Sequence, residues 1–208
     1  MIKAFNGYVF CDFDGTLTYT NSLSYIILQK EGIFKWLKGI IILLPYFFLF
    51  KLKLITNDRM SFKFFKTFFL KYNSNDLDIY FSDSNIYLDN IIKKYVFEFL
   101  KYLQCERHFK IIIVSASSSL WLKQWCFKNN FEYITSEMSF DSNNFPIEYK
   151  KYCWGKNKVS FILNKYKVKD KFIITLGDTR GDKEMLQFGN INIYKPTYLK
   201  IQKTYELL

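Results

Sequence analysis

Four short, mainly apolar runs limit the folds that this chain can adopt. They are Tyr8–Cys11, Lys110–Val114, Lys171–Leu176 and Ile191–Tyr194. A run of this length and composition is typical of a strand whose two faces are both buried. Such strands occur mainly in parallel sheets, where helices cover each side. The runs therefore predict a parallel sheet at the centre of the fold.

Helical segments lie between these runs. Leu120–Lys128 follows the second run, and Lys158–Tyr166 precedes the third. Alternating strands and helices predict an α/β fold with a Rossmann-like parallel sheet. In such a sheet the ligand crevice lies outside the carboxyl ends of the strands. Polar residues follow the first three runs, so we expect them to meet at this crevice.

The segment 17–90 interrupts this alternation. It is aromatic, basic and helical in pattern, and it is far longer than an ordinary connection between strands. We interpret it as an inserted helical cap, with residues 1–16 and 91–208 forming the catalytic core. Ser139–Pro146 is rich in turn-forming residues and predicts a hairpin or a loop.

The most specific motif begins at Asp12, directly after the first run. Asp14 follows two positions later, and two carboxylates spaced in this way at the end of a strand can face one site. Gly15 lets the chain turn away without a steric cost. A pair of aspartates alone would indicate a turn with two solvated carboxylates. The longer pattern Asp-Phe-Asp-Gly-Thr-Leu-Thr directly after a buried strand is much more specific and indicates a functional site.

A second acidic pair, Asp178 and Asp182, follows the third run. Carboxylates together with waters and substrate phosphate are the ligands that Mg²⁺ prefers, so the pair predicts a metal site. Ser115 ends the second run before a predicted helix, where an anion can bind, although a lone serine there is more often an N-cap. A lysine completes the set, and both Lys156 and Lys158 are candidates.

Together these residues resemble the haloacid dehalogenase superfamily of phosphatases. Six of them match its four motifs in chain order: Asp12, Asp14, Ser115, Lys158, Asp178 and Asp182. The insertion resembles the C1-type helical cap of subfamily IB, which includes phosphoserine phosphatase. The resemblance implies a phosphoric monoester hydrolase that uses Mg²⁺ and acts on a phosphorylated small molecule or lipid.

The resemblance also implies roles for individual residues. Asp12 would be the nucleophile that forms an aspartyl-phosphate. Asp14 would protonate the leaving oxygen and then activate water. Ser115 and Lys158 would hold the phosphoryl oxygens. The family lysine stands directly before an apolar residue, here Val159, which favours Lys158 over the other candidate.

The implied metal site uses the same two strand ends. Asp178 would bind Mg²⁺ together with Asp12 and the backbone carbonyl of Asp14. Asp182 would support these ligands through hydrogen bonds. Further supporting positions are Gly15, Thr16 and Ala116.

The residues expected to contact the substrate differ from those of phosphoserine phosphatases. Those enzymes carry a glutamate nine positions after the nucleophile, where this chain has Asn21. A neutral amide cannot form an ion pair with an amine, so phosphoserine is disfavoured. Arg59 and Arg180 are the further candidates for substrate contact, although a surface position is the more common role of such an arginine.

Gly39–Phe50, within the cap, is twelve residues long and carries no charge. A bilayer-spanning helix needs roughly 20 residues, so the segment predicts either a buried cap helix or an interfacial anchor. Lys35, Lys38, Lys51 and Lys53 flank it and suit anionic headgroups. We expect Pro45, which lies within it, to kink or split the helix.

This basic-flanked apolar cap resembles the bacterial phosphatidylglycerophosphatase branch, which acts on a lipid-linked phosphate. The resemblance therefore favours a membrane-associated enzyme of phospholipid metabolism. Two other readings stay open, a phosphatase of a soluble sugar phosphate and a catalytically silent module that binds a membrane surface. Transfer of the phosphoryl group to a second organic substrate is also open.

The net charge of +11 has little weight in this argument. Three of the 30 basic residues are arginine and the lysines are scattered, so we expect no nucleic-acid partner. The first motif follows Met1–Phe10 directly, and the four cysteines include no Cys-x-x-Cys pair. We therefore expect a cytoplasmic protein without a signal peptide, peripheral at most on the inner face of the membrane.

Overall fold

The computed structural model describes residues 7–208, and part of the expected core segment 1–16 lies outside that range. In the described part, the strands form one sheet in the order β4-β3-β2-β1-β5-β6. Neighbouring strands are parallel except for the antiparallel pair β3–β4. The strands are β1 Gly7–Cys11, β2 Lys110–Ser118, β3 Glu132–Phe140, β4 Pro146–Lys151, β5 Phe172–Gly177 and β6 Ile191–Tyr194.

The helices fall into two groups along the chain. The first group lies between β1 and Lys93 and consists of α1 Ser22–Lys51, α2 Asn57–Phe69, α3 Ser74–Phe81 and α4 Ser84–Asp89. The second group lies beside the sheet and consists of α5 Lys94–Cys105, α6 Ser119–Lys128, α7 Lys156–Lys165, α8 Lys183–Gln187 and α9 Tyr198–Leu207. The mixed α/β fold with a mainly parallel, Rossmann-like sheet is confirmed.

The central strand shows why its residues form a buried sheet. Val9, Phe10 and Cys11 are all 0% exposed, and their side chains alternate between the two faces. Phe10 packs with Ile162 of α7 and Met185 of α8 on one face. Val9 and Cys11 belong to the larger apolar cluster on the other face, which includes residues of α5, α6 and α9. Helices therefore cover both faces, as the apolar runs predict.

The inserted helices occupy the segment expected for the cap. An isolated bridge between Thr18 and Ile92 holds the two chain ends of the insertion together. Trp121 of α6 packs against Phe65 of α2 and Phe81 of α3, so an aromatic cluster joins the insertion to the sheet layer. The insertion thus lies over the carboxyl end of the sheet, where the site is expected.

Of the two effects expected of Pro45, a split of the helix does not occur. Pro45 keeps helical backbone angles, and the one non-helical residue inside α1 is Gly32, with φ 79° and ψ 166°. Glycine reaches this conformation without a steric penalty, whereas other residues do not. The helix is thus broken near its first third, and the segment from Ile33 to Lys51 continues past the proline.

Candidate active site

The site lies where the order of the strands reverses. The chain moves from β1 through β2 to β3 on one side, and β5 and β6 lie on the other side of β1. A crevice forms at such a reversal because the connections leave in opposite directions. Asp12 follows β1, Ser115 lies near the end of β2, and Asp178 follows β5. The fold therefore brings three expected site residues together.

A wide turn after β1 carries the first motif. It covers Phe13–Leu17, and Gly15 within it has φ 80°. A Cβ atom at Gly15 would lie 2.3 Å from Oδ2 of Asp178, which is far inside van der Waals contact. The glycine is thus needed twice, for its backbone conformation and for the close approach of Asp178.

Lys158 is the lysine that the structure places in the site. It is 2% exposed, and its Nζ donates to Oδ1 of Asp12 and to Oδ1 of Asp182, each at 2.6 Å. It also donates to the carbonyl of Val114 at 2.8 Å. Lys156 is exposed. Burial alone would lower the pKa of Lys158, but the two carboxylates outweigh burial and raise it.

Asp182 is fixed by hydrogen bonds at both of its oxygens. Oδ1 accepts from Lys158, and Oδ2 accepts from the backbone N–H of Thr179 at 2.9 Å and its hydroxyl at 2.8 Å. Burial opposes ionisation, but these donors, Lys158 foremost, hold the pKa of Asp182 below its usual range. A carboxylate with both oxygens occupied suits the supporting role expected of it.

Three carboxylates of the site, including that of Asp182, lie close enough together to suit a hard cation. Oxygens of Asp12, Asp178 and Asp182 all lie within 4.8 Å of one another. The Thr16 hydroxyl lies 3.2 Å from Oδ2 of Asp12 and 3.1 Å from Oδ1 of Asp178. Among the described residues, the buried Lys158 and the partly buried Lys93 are the cations near this cluster, so two positive charges face three carboxylates and negative charge is in excess. Carboxylate oxygens with excess negative charge are what Mg²⁺ binds, and the residues fit that ion.

Burial raises the pKa of Asp12 to about 7, although Lys158 opposes this shift. The same cause raises the pKa of Asp178, whose carboxyl group is only half buried. A bound cation would reverse both shifts because it stabilises the ionised form.

Asp14 points away from this cluster toward the insertion. Its Oδ1 accepts from the backbone N–H of Ser22 at 2.6 Å, and its Oδ2 accepts from the Ser117 hydroxyl at 2.5 Å. The indole N–H of Trp121 donates to the Ser22 hydroxyl at 3.0 Å. Ser22 and Ser117 are not predicted from the sequence, because one begins α1 and the other lies near the end of β2, and nothing in their local pattern distinguishes them from ordinary residues near a helix start.

A cavity of about 500 Å³ opens beside these groups. Among the described residues that line it, the charged ones are Asp12, Asp14, Lys158 and Asp182. Its apolar wall comes mainly from the insertion and consists of Leu23, Ile40, Phe47, Phe50, Met60, Phe64 and Trp121. Uncharged polar residues line it as well, namely Asn21, Ser24, Asn57, Ser61, Ser115, Ser117, Tyr149, Tyr152 and Thr179.

The expected substrate residues are not all placed at this cavity. Asn21 and Ala116 line it, whereas Arg59 and Arg180 are exposed and do not. Asn21 also caps α1, because its side chain accepts from the backbone N–H of Ser24 at 2.9 Å. The roles of the two arginines stay predictions without support from this geometry.

Trp154 is a further lining residue that the sequence analysis missed. A Cβ atom at Gly181 would lie 2.3 Å from its indole nitrogen, so the glycine leaves room for the ring beside the second acidic pair.

The family of the chain follows from a sequence comparison. The model of the haloacid dehalogenase-like hydrolases matches residues 9–187. The chain belongs to this family. It is therefore an enzyme of the hydrolase class, as expected. No curated protein is significantly similar to the chain.

Solved structures with the same fold include phosphatases. A phosphoserine phosphohydrolase-like protein from Francisella tularensis subsp. tularensis SCHU S4 is 18% identical, with a TM-score of 0.62 over 95% of this chain and 92% of that one. A Bordetella pertussis Tohama I protein of unknown function is 9% identical, with a TM-score of 0.73 over 99% and 96%. A phospho-aspartyl intermediate analogue of phosphoserine phosphatase is 12% identical, with a TM-score of 0.57 over 91% and 86%. At these identities the likeness concerns the fold.

Proposed function

We propose that this enzyme is a Mg²⁺-dependent phosphatase that works through an aspartyl-phosphate. The observation that carries the proposal is the placement of Asp12 at the strand reversal, in contact with Lys158 and beside the carboxylate of Asp178. A carboxylate oxygen of Asp12 attacks the phosphorus of a phosphate monoester, and the bond to the leaving oxygen breaks. Asp14 gives a proton to that oxygen.

The second half of the reaction uses the same groups. Asp14, now ionised, takes a proton from a water molecule, which attacks the phosphorus and releases inorganic phosphate and Asp12. Lys158 and the Ser115 hydroxyl hold the phosphoryl oxygens throughout. Mg²⁺, held by Asp12, Asp178 and the Asp14 carbonyl, would neutralise charge on the phosphoryl group. Transfer of the phosphoryl group to a second organic substrate would require a hydroxyl group of that substrate to take the place of the attacking water.

We further propose an amphiphilic or lipid-linked phosphate as substrate, such as phosphatidylglycerophosphate, met at the cytoplasmic face of a membrane. The support is the apolar wall of the cavity, which offers no charged partner beyond the reacting groups. The amine and carboxylate of phosphoserine would be desolvated there without ion pairs, which is costly. Asn21 lines the cavity but supplies no charge.

A soluble sugar phosphate is the second candidate. The observation in its favour is the uncharged polar part of the lining, where Asn57, Ser61 and Tyr149 offer amide and hydroxyl groups to a sugar. The Tyr149 hydroxyl lies 3.3 Å from the Ser61 hydroxyl, so each already has one partner.

Phosphate release with Mg²⁺ tests the proposal, with lipid phosphates in micelles beside soluble phosphate esters. Wild type is compared with Asp12→Asn and with Asp170→Asn, a control at an exposed turn position. We expect activity in wild type and the control and none in Asp12→Asn. Equal rates in all three would contradict the mechanism, and no release from any ester would favour a silent binding module. Preference for a sugar phosphate would select the second candidate.

A further inference from the structure

The outer side of α1 presents a row of large apolar side chains to solvent. It consists of Phe34, Leu37, Ile41, Leu44, Phe48 and Leu52, which are between 43% and 86% exposed. Their spacing of three or four residues places them along one side of the helix. We call this row the outer stripe. A continuous apolar surface of this kind on a soluble domain indicates contact with a partner.

The inner side of the same helix is occupied. Gly39 and Leu43 are buried, and a Cβ atom at Gly39 would lie 2.2 Å from the ring of Phe68 in α2. Ile40 and Phe47 line the cavity of the site. The helix is therefore apolar on two sides, one that faces α2 and the site and one that faces solvent.

Length and composition alone would let α1 cross a membrane. Its most apolar window has a mean hydropathy of 1.8, and 11% of that window is buried. Core helices of soluble proteins reach such hydropathy when they are mostly buried, which this segment is not. Of the two alternatives for Gly39–Phe50, a helix buried on all sides does not fit the exposed side chains on its outer side.

Charge complementarity identifies the partner. No acidic residue occurs from 32 to 57, whereas Lys38, Lys51 and Lys53 are exposed at the two ends of the stripe. Lys35 is exposed too, although it pairs with Glu31. A second copy of the chain would place these lysines against its own, which is unfavourable. An anionic bilayer offers an apolar interior and negative headgroups at the matching positions.

The packing of α1 determines how it meets the bilayer. A helix across the membrane would carry its packed neighbour α2 with it, and α2 bears Asp58, Lys63 and Lys66. It would also place Asp12 and the cavity in hydrocarbon, where charges are costly. A helix parallel to the membrane plane buries the outer stripe and leaves these groups in water.

We propose that the outer stripe docks α1 flat on a bilayer that contains anionic lipid, with the lysines against the headgroups. The exposure and charge described above support the docking surface independently of any activity. Its use in capturing the substrate rests on the proposed function. The cavity lies on the opposite side of α1, between that helix and α2. A lipid phosphate would then reach the site around the edge of α1, about 10 Å from the membrane surface, while its acyl chains stay in the bilayer.

Flotation with phosphatidylcholine vesicles, alone and mixed with phosphatidylglycerol, tests the surface. We expect wild type to bind the mixed vesicles. The double variant Ile41→Ser/Phe48→Ser should bind at least about tenfold more weakly. Its control, Ile79→Ser/Leu199→Ser, removes equally exposed apolar side chains elsewhere and should bind like wild type. Lys51→Gln/Lys53→Gln should lose roughly fivefold per lysine, and Lys169→Gln/Lys203→Gln should not.

Two further measurements on the same samples separate the outcomes. An alkaline carbonate wash should release the bound protein, and retention would overturn the flat orientation in favour of a spanning helix. Hydrolysis of p-nitrophenyl phosphate should be unchanged in the Ile41→Ser/Phe48→Ser variant. Vesicle binding without any hydrolysis would contradict the proposed function and leave the surface intact. Hydrolysis without vesicle binding would overturn the surface, and a dimer that this variant dissociates would assign the stripe to a second copy.

Discussion

Lys158 is a charged side chain in the interior whose two partners are both carboxylates. Removing it would leave Asp12 and Asp182 buried with no common cation, which is costly because neither can be hydrated. We expect Lys158→Met to lose phosphatase activity and about 3–5 kcal/mol of the free energy of unfolding. Denaturant unfolding and turnover measure the two effects. The control Lys156→Met changes an exposed lysine two residues earlier on the same helix. It should keep both the activity and the free energy of unfolding of the wild type.

Ser117 has a different kind of role, because it acts through Asp14. Its hydroxyl donates to the carboxylate that would protonate the leaving oxygen, and Ser22 holds the other oxygen. Ser117→Ala should therefore slow the cleavage of alkyl phosphates by about tenfold or more, since misplacing a general acid costs at least that much. A p-nitrophenyl leaving group needs no proton, so its turnover should change little.

The ratio of these two rates distinguishes positioning from damage to the fold. A structural defect in Ser117→Ala would slow alkyl and aryl esters alike, and that outcome would contradict the positioning role. Ser119→Ala, two residues further along the same segment, serves as the control and should leave the ratio unchanged.

At the scale of elements, the ends of β1 and β5 form one unit because the carboxylates that follow them approach closely and Lys158 balances only part of their charge. Burial raises the pKa of Asp12 to about 7 in the metal-free protein, so a proton must leave when Mg²⁺ binds below that pH. Affinity should therefore fall by about tenfold per pH unit below 7 and level off above it. Mg²⁺ should raise the melting temperature more at pH 8 than at pH 6.

Calorimetric titration of Mg²⁺ at the two pH values gives the affinity directly. Equal affinities at both would show that Asp12 is already ionised without the metal. Asp178→Asn removes one proposed ligand and should abolish most of the melting-temperature increase, whereas Asp170→Asn should not.

The elements differ in how well the sequence predicts them. The strands β1, β2 and β5 are predicted because burial on both faces leaves an apolar run. The short run Ile191–Tyr194 also predicts β6, although this strand lies at the sheet edge and is partly exposed. The turn between β3 and β4 is predicted from Ser139–Pro146, but the strands beside it are not. In Glu132–Phe140 apolar and polar residues are mixed, because β3 lies near the sheet edge and pairs with antiparallel β4.

The residues of the site also differ in how well the sequence predicts them. Asp12, Asp178 and Ser115 are predictable because each follows a recognisable strand, and the reversal of strand order brings strand ends together. Lys158 is preferred to Lys156 from the sequence because Val159 follows it, and the structure places Lys158 in the interior and Lys156 at the surface. The contacts of Asp14 were not predictable, because Ser22 and Ser117 are 95 positions apart and meet only when the insertion packs on the sheet.

At the scale of the whole molecule, the sheet layer carries the proposed reacting groups and the inserted helices supply most of the apolar wall of the cavity. Because the apolar wall is separate from the carboxylates, we expect the length of the substrate's leaving group to affect its binding more than its turnover. Along a series of n-alkyl phosphates from ethyl to hexyl, KM should fall by up to about fourfold per buried methylene, while kcat stays nearly constant. Each added methylene leaves water for the wall formed by residues such as Phe47 and Phe64.

The variant Phe64→Ser tests whether this wall is responsible. It removes an aromatic ring from the cavity without touching the carboxylates, so the gain per methylene should shrink while turnover of ethyl phosphate persists. Phe127→Ser removes a ring that is 62% exposed outside the cavity and should leave the series unchanged. A KM that does not vary with chain length in wild type would contradict an amphiphilic substrate. The hydroxyl and amide groups around Ser61 would then be the part of the lining that selects the substrate.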